Sequence, residues 1–447
     1  MGTPRQNPPR ARGRRLAPGC ALGAALLAGL GAMPAHAQQT NDFLDSDIPF
    51  DLHHSQGVAV TERAHPELEP VGVRVGTSWL LLPAISTALG YTDNVYGAAS
   101  GKVGDGFATV TPQALMVSEW SRHFLEFSAD AAIKRFFQQT VRSETAYAMQ
   151  ADGRYDLGTG DSNITALAHY ERGFEAQYEG DFPQNAAGTV EFHQADSYVR
   201  GHFVFNRVRL IVNEKVNDLR YRDTTSLAGA PIGQTYRDRT EYHSAARIEY
   251  GFNNDSAAFS EVSYDIADYH HATATQPLRS NHQERVLLGL NFDLHNIVRA
   301  MVGVGYERRS YDQSAFYPAI SGVTFDASVQ WLVTELTTIN LEGSRKIEDA
   351  ITATSPGYVA DVAQVHIDHE LLRYVQLFVE GTYEHDSYAA LTRRDSQVQA
   401  RAGAIYAIGR HFKLRPSVWY IDRTSRGLPL GQQFNEVRGT VELFTQW

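Results

Sequence analysis

Past residue 37, apolar and polar residues alternate with a period of two through segment after segment of this chain. In Val286-Leu287-Leu288-Gly289-Leu290-Asn291-Phe292-Asp293-Leu294 every even position is apolar, and the odd positions turn polar as the segment proceeds. In Val375-Gln376-Leu377-Phe378-Val379-Glu380-Gly381-Thr382-Tyr383 the odd positions are Val, Leu, Val, Gly and Tyr. In Gln397–Tyr406 one face reads Val, Ala, Ala, Ala, Tyr, and the other begins Gln, Gln, Arg, Gly. Period two is the signature of β-strands, whose successive side chains point to opposite faces. The longest apolar run outside the first 37 residues, Trp79 to Ile85, is short and interrupted by Pro83, so no transmembrane helix is predicted. A membrane-crossing strand escapes that test, because only every second residue meets lipid. The 22 Tyr and 21 Phe suit strands and the aromatic belts of a membrane barrel.

The connections decide which all-β architecture this is. Short links recur at Trp120–His123, Gly158–Asp161, Phe205–Arg207, Asn253–Asp255, His295-Asn296 and Gly409–His411. Between them lie longer polar links at about 174–188, 222–236, 270–280, 311–319, 348–357, 386–395 and 424–433. A soluble sandwich has no reason to alternate short and long connections, whereas a transmembrane barrel puts its turns on one side and its loops on the other. The weak repeat of about 40 residues also suits a propeller, but no blade signature holds a fixed register. The expectation is an all-β, transmembrane, antiparallel up-and-down β-barrel of about 18 strands (16–20), the first from Ser78 to Asp93 and the last from Asn435 to Trp447.

Both ends of the sequence carry signals. Arg5, Arg10, Arg12, Arg14 and Arg15 precede a short apolar stretch from Ala21 to Met33, and Ala35-His36-Ala37 then places small residues where a signal peptidase reads them. This predicts a secretory signal over 1–37. Residues 38–72 carry scattered acids, prolines and histidines without periodicity, and are expected to form a flexible periplasmic extension before a barrel over 73–447. At the other end Val437, Gly439, Val441, Leu443, Thr445 and Trp447 share one face, with Glu436, Arg438, Thr440, Glu442 and Gln446 on the opposite one. An alternating last strand ending in an aromatic residue is what barrel-assembly machinery recognises, so Val441, Leu443 and Trp447 are the expected assembly signal, and outer-membrane lipid the expected surroundings.

Charge and cysteine use exclude other classes. Losing the signal would remove the lone Cys20, leaving no disulfide framework. It would also take five arginines, moving the formal net charge from −11 to about −16. That balance argues against a nucleic-acid partner, which needs a basic face.

Val58-Ala59-Val60-Thr61-Glu62-Arg63, His65-Pro66-Glu67-Leu68-Glu69-Pro70-Val71-Gly72-Val73-Arg74-Val75-Gly76, Leu82-Pro83-Ala84-Ile85, Gly90-Tyr91, Asp93-Asn94-Val95-Tyr96 and Thr111-Pro112 resemble the lead-in and first two strands of the putative β-barrel porin 2 family. The likeness runs from about 58 to 447. It implies an outer-membrane barrel of a Gram-negative bacterium. Members are often encoded with exopolysaccharide biosynthesis and export genes, which implies polysaccharide-export components as partners.

The chemistry the chain can carry lies on the polar faces of its strands. Alternation places Glu261 and Asp265 on one face, and likewise Asn340, Glu342 and Ser344; Gln376, Glu380 and Glu384; Gln399 and Arg401; Lys413 and Arg415; and Glu436, Arg438 and Glu442. Mixed charges of this kind suit a hydrated interior that selects polar or charged solutes, and equally suit cross-strand ion pairs with no selective role. For catalysis or metal binding the densest cluster is His366-Ile367-Asp368-His369, but only His366 and Asp368 share a face and no third ligand is evident. His270-His271 and His53-His54 read as solvated polar residues. No phosphate loop or dinucleotide fingerprint is present, so no enzyme, cofactor or metal is expected. Two functions remain: a porin-like pore for polar or charged solutes, linked to surface polysaccharide export, or a non-conducting barrel that anchors a surface-polymer machine. The pore is favoured, because a barrel of this strand number encloses an aqueous lumen unless plugged.

Overall fold

The computed structural model describes residues 58–447, apart from 64, 66, 159–160, 180–181, 184, 254, 274–275, 296 and 351–354. The expected signal segment with Ala35 and Ala37, residues 38–57 of the expected extension, His53-His54, Asn254 and Asn296 lie outside the described residues.

The alternating segments are strands: β1 (Trp79–Thr92), β2 (Asp105–Ser118), β3 (Phe124–Phe136), β4 (Glu144–Asp156), β5 (Asn163–Phe174), β6 (Glu191–Phe205), β7 (Val208–Tyr221), β8 (Arg239–Gly251), β9 (Ser256–Tyr269), β10 (Asn281–Leu294), β11 (Val298–Tyr311), β12 (Ile320–Thr334), β13 (Thr337–Asp349), β14 (Gly357–Leu372), β15 (Val375–Tyr388), β16 (Arg394–Ile408), β17 (Phe412–Arg426) and β18 (Phe434–Gln446). Each pairs antiparallel with its sequence neighbours, and β18 returns to β1 with Ala84 opposite Gln446 and Thr92 opposite Arg438. Among the described residues, eighteen strands therefore close into a barrel with no free edge. A further three-residue strand, Val73–Val75, folds back on the start of β1. The shortest barrel strand has 12 residues and the longest 16. At about 3.4 Å per residue and a tilt near 40°, even the shortest crosses roughly 30 Å, the thickness of a bilayer core.

Burial follows the alternation. On β10, Gln283, Arg285, Leu287 and Asn291 point inward and are buried, while Val286, Leu288 and Leu290 point outward and are exposed, Leu288 by 63%. Large apolar groups bare on the outside of a closed sheet are where lipid belongs. Aromatics ring the outer surface near both ends of the strands. Trp79 and Trp120 meet at 5.4 Å and Tyr374 and Tyr406 at 5.9 Å at the rim of the short turns. Tyr91, Tyr170 and Tyr383 stand exposed toward the other rim. Inside, the ring of Phe259 lies across two glycines. A Cβ on Gly289 would sit 2.3 Å from that ring, so only glycine lets it lie flat on the wall.

Turns and loops segregate as expected. At one rim the links are as short as the two-residue turns Asn206-Arg207, Glu335-Leu336 and Arg373-Tyr374, where Asn206 takes the left-handed conformation (φ 56°) that a tight hairpin needs. The longest links, 175–190 and 222–238, stand at the opposite rim.

Of the extension expected over 38–72, the described part is held against the short-turn rim. Val60 N–H donates to Thr338 Oγ1 (3.0 Å), Arg63 pairs with Glu370 (3.2 Å), Leu68 O accepts from Gln446 Nε2 (3.1 Å), and Gly72 N–H donates to Trp447 O (3.1 Å). Ala59 and Val60 are buried. These contacts run from β13 and β14 to β18, so the lead-in lies along the rim between them.

Candidate functional site

The barrel interior has two unlike walls. On β8–β13 the inward side chains pack on one another. Arg247 pairs with Glu261 (Nε–Oε2 2.7 Å), Arg285 with Asp326, and Lys346 with Asp326 (3.4 Å). Arg309 pairs with Asp349 (2.5 Å) and donates to Gln283 Oε1 (2.7 Å). Arg285 reaches two strands along the wall, and Arg247 Nη1 lies 3.5 Å from Met301 Sδ, three strands away. Strands are spaced by about 4.8 Å, so such contacts require the wall to curve sharply here. Arg247, Glu249, Glu261, Gln283 and Glu307 are each at most 2% exposed, which shuts this wall off from water. Charges this deep hold only because each meets a partner.

The wall formed by β14–β18 is open. His366 Nε2 lies 2.9 Å from Asp368 and its Nδ1 3.3 Å from Glu380, which also meets Arg401 at 3.6 Å. His366, Glu380 and Arg401 stay about a third exposed to the interior, while Arg423 and Glu436 are buried beneath segment 175–190. Arg415 pairs with Glu442 (3.8 Å), and Arg438 with Glu436 (2.8 Å). Arg438 lies over the Trp419 ring (4.8 Å) and Arg401 over Phe378 (5.2 Å). Planar guanidinium groups are thus fixed by a carboxylate and an aromatic face together.

Segment 175–190, between β5 and β6, does not stand out into solvent. It folds inward and reaches the far wall. Gln177 Nε2 donates to Asn94 O (2.8 Å) and to Glu436 Oε2 on β18 (2.7 Å). Tyr178 packs on Ile421 and Phe434, with its ring 5.1 Å from Trp419, and its carbonyl accepts from Arg423 of β17 (3.0 Å). On the return, Arg142 donates to Ala186 O (2.8 Å) and lies over the Phe182 ring (5.3 Å). Phe182, Ala186 and Val190 then join Phe192, Leu219 and Tyr221 in an apolar cluster. At its base Glu175 pairs with Arg237 of the 222–238 loop, both about 1% exposed. Burial opposes the Arg237 charge, but Glu175 and Tyr221 hold its pKa above the ordinary value, so the guanidinium keeps its charge. Burial pushes the Tyr178 phenol up, which keeps it neutral. Three arginines from separate elements therefore fasten one segment across the outer part of the lumen.

The interior positions expected from alternation fall on both walls. Glu261 is sealed against Arg247, and Asp265 meets His243 on the packed wall. Glu342 lies on β13, at the margin of the packed wall, and is exposed. Gln376, Glu380, Arg401, Arg415, Arg438 and Glu442 belong to the other wall, where Glu380 meets Arg401, Arg415 meets Glu442, and Gln376 Nε2 donates to Asp368 (2.8 Å). His369 turns to the other face and contacts Thr337 (2.9 Å), apart from His366 and Asp368. Val441, Leu443 and Trp447 lie on the outside of β18, each 43–51% exposed. Sequence reasoning missed Glu175, Gln177, Tyr178, Arg142, Arg237 and Arg423. The one hint was the apolar content of an otherwise polar link, in Tyr178 and Phe182.

A closed, antiparallel barrel with an apolar exterior, aromatic belts and a charged interior is the class of outer-membrane β-barrels. Residues 65–446 match the family described as putative beta-barrel porin 2, and the chain belongs to it. It is a porin-like protein of the Gram-negative outer membrane. No curated protein matches the chain. Solved structures of outer-membrane proteins are similar at low identity. OpdL of Pseudomonas aeruginosa is 11% identical, with 83% of this chain and 98% of that chain covered and a TM-score of 0.42. OccK2 (OpdF) of Pseudomonas aeruginosa, solved in complex with glucuronate, is 12% identical over 82% of this chain and 98% of that chain, with a TM-score of 0.43. OccAB4 of Acinetobacter baumannii is 10% identical over 82% and 98%, with a TM-score of 0.43.

Proposed function

We propose that this protein is a passive pore for small polar and charged solutes, and that it performs no catalysis. The observation that carries this reading is the open β14–β18 wall, lined by paired polar side chains and narrowed by the clamped segment 175–190. Fixed charges and hydrogen-bonding groups around a constriction discriminate by size and charge without a chemical step. Export of an intact surface polysaccharide, which the family resemblance implies, would require three buried arginine contacts to open for each chain. The reading is therefore small solutes, with Gln376, Glu380, Arg401, Arg415, Arg438 and Glu442 lining the path. We also infer export through a signal over 1–37, and recognition of Trp447 by barrel-assembly machinery.

Liposome swelling tests the pore. Vesicles carrying the refolded protein should swell rapidly in arabinose and far more slowly in raffinose, whose bulk the constriction opposes. Swelling in arabinose no faster than in protein-free vesicles would overturn the reading and favour a non-conducting anchor barrel.

A further inference from the structure

The lumen has a third sector, on β3–β6, and its charge is unlike that of the other two. On β14–β18 the carboxylates Glu380, Glu436 and Glu442 each meet an arginine. On β3–β6 five inward carboxylates, Glu126, Asp130, Asp152, Glu171 and Asp196, lie close together. The register sets Glu126 directly opposite Asp152. Asp130 and Glu171 both lie opposite Ala148, on its two sides, so they share one row of the wall. Among the described residues, the side chains of Glu126, Asp130 and Glu171 make no salt bridge and no hydrogen bond. His169 pairs with Asp196 (2.8 Å) and is within electrostatic reach of Asp130 and Glu171, and Lys134 meets Glu144 at 3.9 Å rather than any of the five.

Like charges directly across a strand pair repel one another. Glu126 is the extreme case: only 4% exposed, without a partner, and facing Asp152. A carboxylate with no cation in the protein is neutralised either by a proton or by a cation drawn from the lumen, and the half-buried Asp130, Asp152 and Glu171 are within reach of the second. A tube with low-dielectric walls focuses that field along its axis, and raises the local concentration of the opposite sign of ion.

We propose that the pore is selective for small cationic solutes, and that Glu126, Asp130, Asp152, Glu171 and Asp196 are its selectivity determinants. The proposal rests on the channel reading above. Cations travel along the β3–β6 sector, and anions are turned away because the arginines of the opposite sector are already paired.

The test is the reversal potential of the purified protein in planar bilayers under a KCl gradient. The wild type should reverse at the sign of preferred K⁺ passage, and the preference should shrink at high salt as the wall charges are screened. E126Q/D130N/E171Q should move the reversal potential toward zero. R74Q/E119Q, which removes an exposed pair beside the short-turn rim (3.0 Å) without changing net charge, should leave it in place. Clear conductance with no cation preference in the wild type would overturn this inference and leave the channel reading standing. No conductance at all would overturn both. A triple variant that conducts with the wild-type reversal potential would remove these residues as determinants. Should the triple variant fail to insert, the sign measured on the wild type still decides.

Discussion

Deleting residues 177–186 should raise the single-channel conductance several-fold. Those residues are the inward part of the segment: Gln177 on Glu436 and Tyr178 under Arg423 and against Trp419 at the far wall, and Ala186 on Arg142 of the 137–143 loop on the return. The flanks can close without them, because Phe174 and Glu191 are cross-strand partners at the ends of β5 and β6. Glu175, Ala176 and 187–190 remain, an ordinary length for a hairpin loop. The Glu175–Arg237 pair is kept intact, since removing one partner of a pair so buried costs roughly 3–5 kcal/mol. Arg423 still has Asp395 at 2.9 Å. Arg142 loses Ala186 O, but the deletion also removes the segment that covers it, so its guanidinium gains water and keeps the Tyr96 ring. The barrel should therefore insert as before, with a wider opening. Conductance steps equal to those of the wild type would show that the segment does not set the narrowest point.

Replacing Leu288 with Arg should cost about 2–4 kcal/mol of stability in the bilayer. Leu288 faces outward at the middle of β10, 63% exposed, between outward neighbours Val286 and Leu290. An arginine there puts its charge near the bilayer midplane. Leu377 also faces outward, but it is the third residue of β15, beside the Arg373-Tyr374 turn. Near the interface the charge reaches water, and Leu377→Arg should cost only about 0–1 kcal/mol. Glu380→Gln, on the inner face of the same strand, should change stability little, because its carboxylate is about a third exposed and its pairing is screened by lumen water. Equilibrium denaturation of the protein folded into phospholipid vesicles measures all three. Equal losses for Leu288→Arg and Glu380→Gln would contradict the assignment of inner and outer faces.

The architecture was legible because lipid outside and water inside impose one period on every strand. The expected limits of the first and last strands, 78–93 and 435–447, differ from the observed Trp79–Thr92 and Phe434–Gln446 by one residue at each end. The turns Glu335-Leu336 and Arg373-Tyr374 escaped notice because they contain neither glycine, asparagine nor proline. Leu336 and Tyr374 stand exposed beside the membrane interface, where an apolar turn residue carries no penalty. The loop at 137–143 was missed for a similar reason, since Phe137-Gln138-Gln139-Thr140-Val141-Arg142-Ser143 has no turn signal.

The site was less legible than the fold. Alternation tells which face a residue takes, but not how curved the wall is. Glu261 and Glu380 look alike in sequence, yet one is sealed against Arg247 and the other is open to the lumen. The inward course of 175–190 depends on partners more than 200 residues away, Arg423 and Glu436, which no local pattern connects to Tyr178 and Gln177.

Single-channel recording of the purified wild-type protein in planar bilayers tests the central claim most directly. The account predicts discrete, uniform conductance steps that rise with salt concentration, as expected of a permanently open, water-filled lumen. A protein that inserts as a heat-modifiable barrel yet leaves the bilayer electrically silent would contradict it.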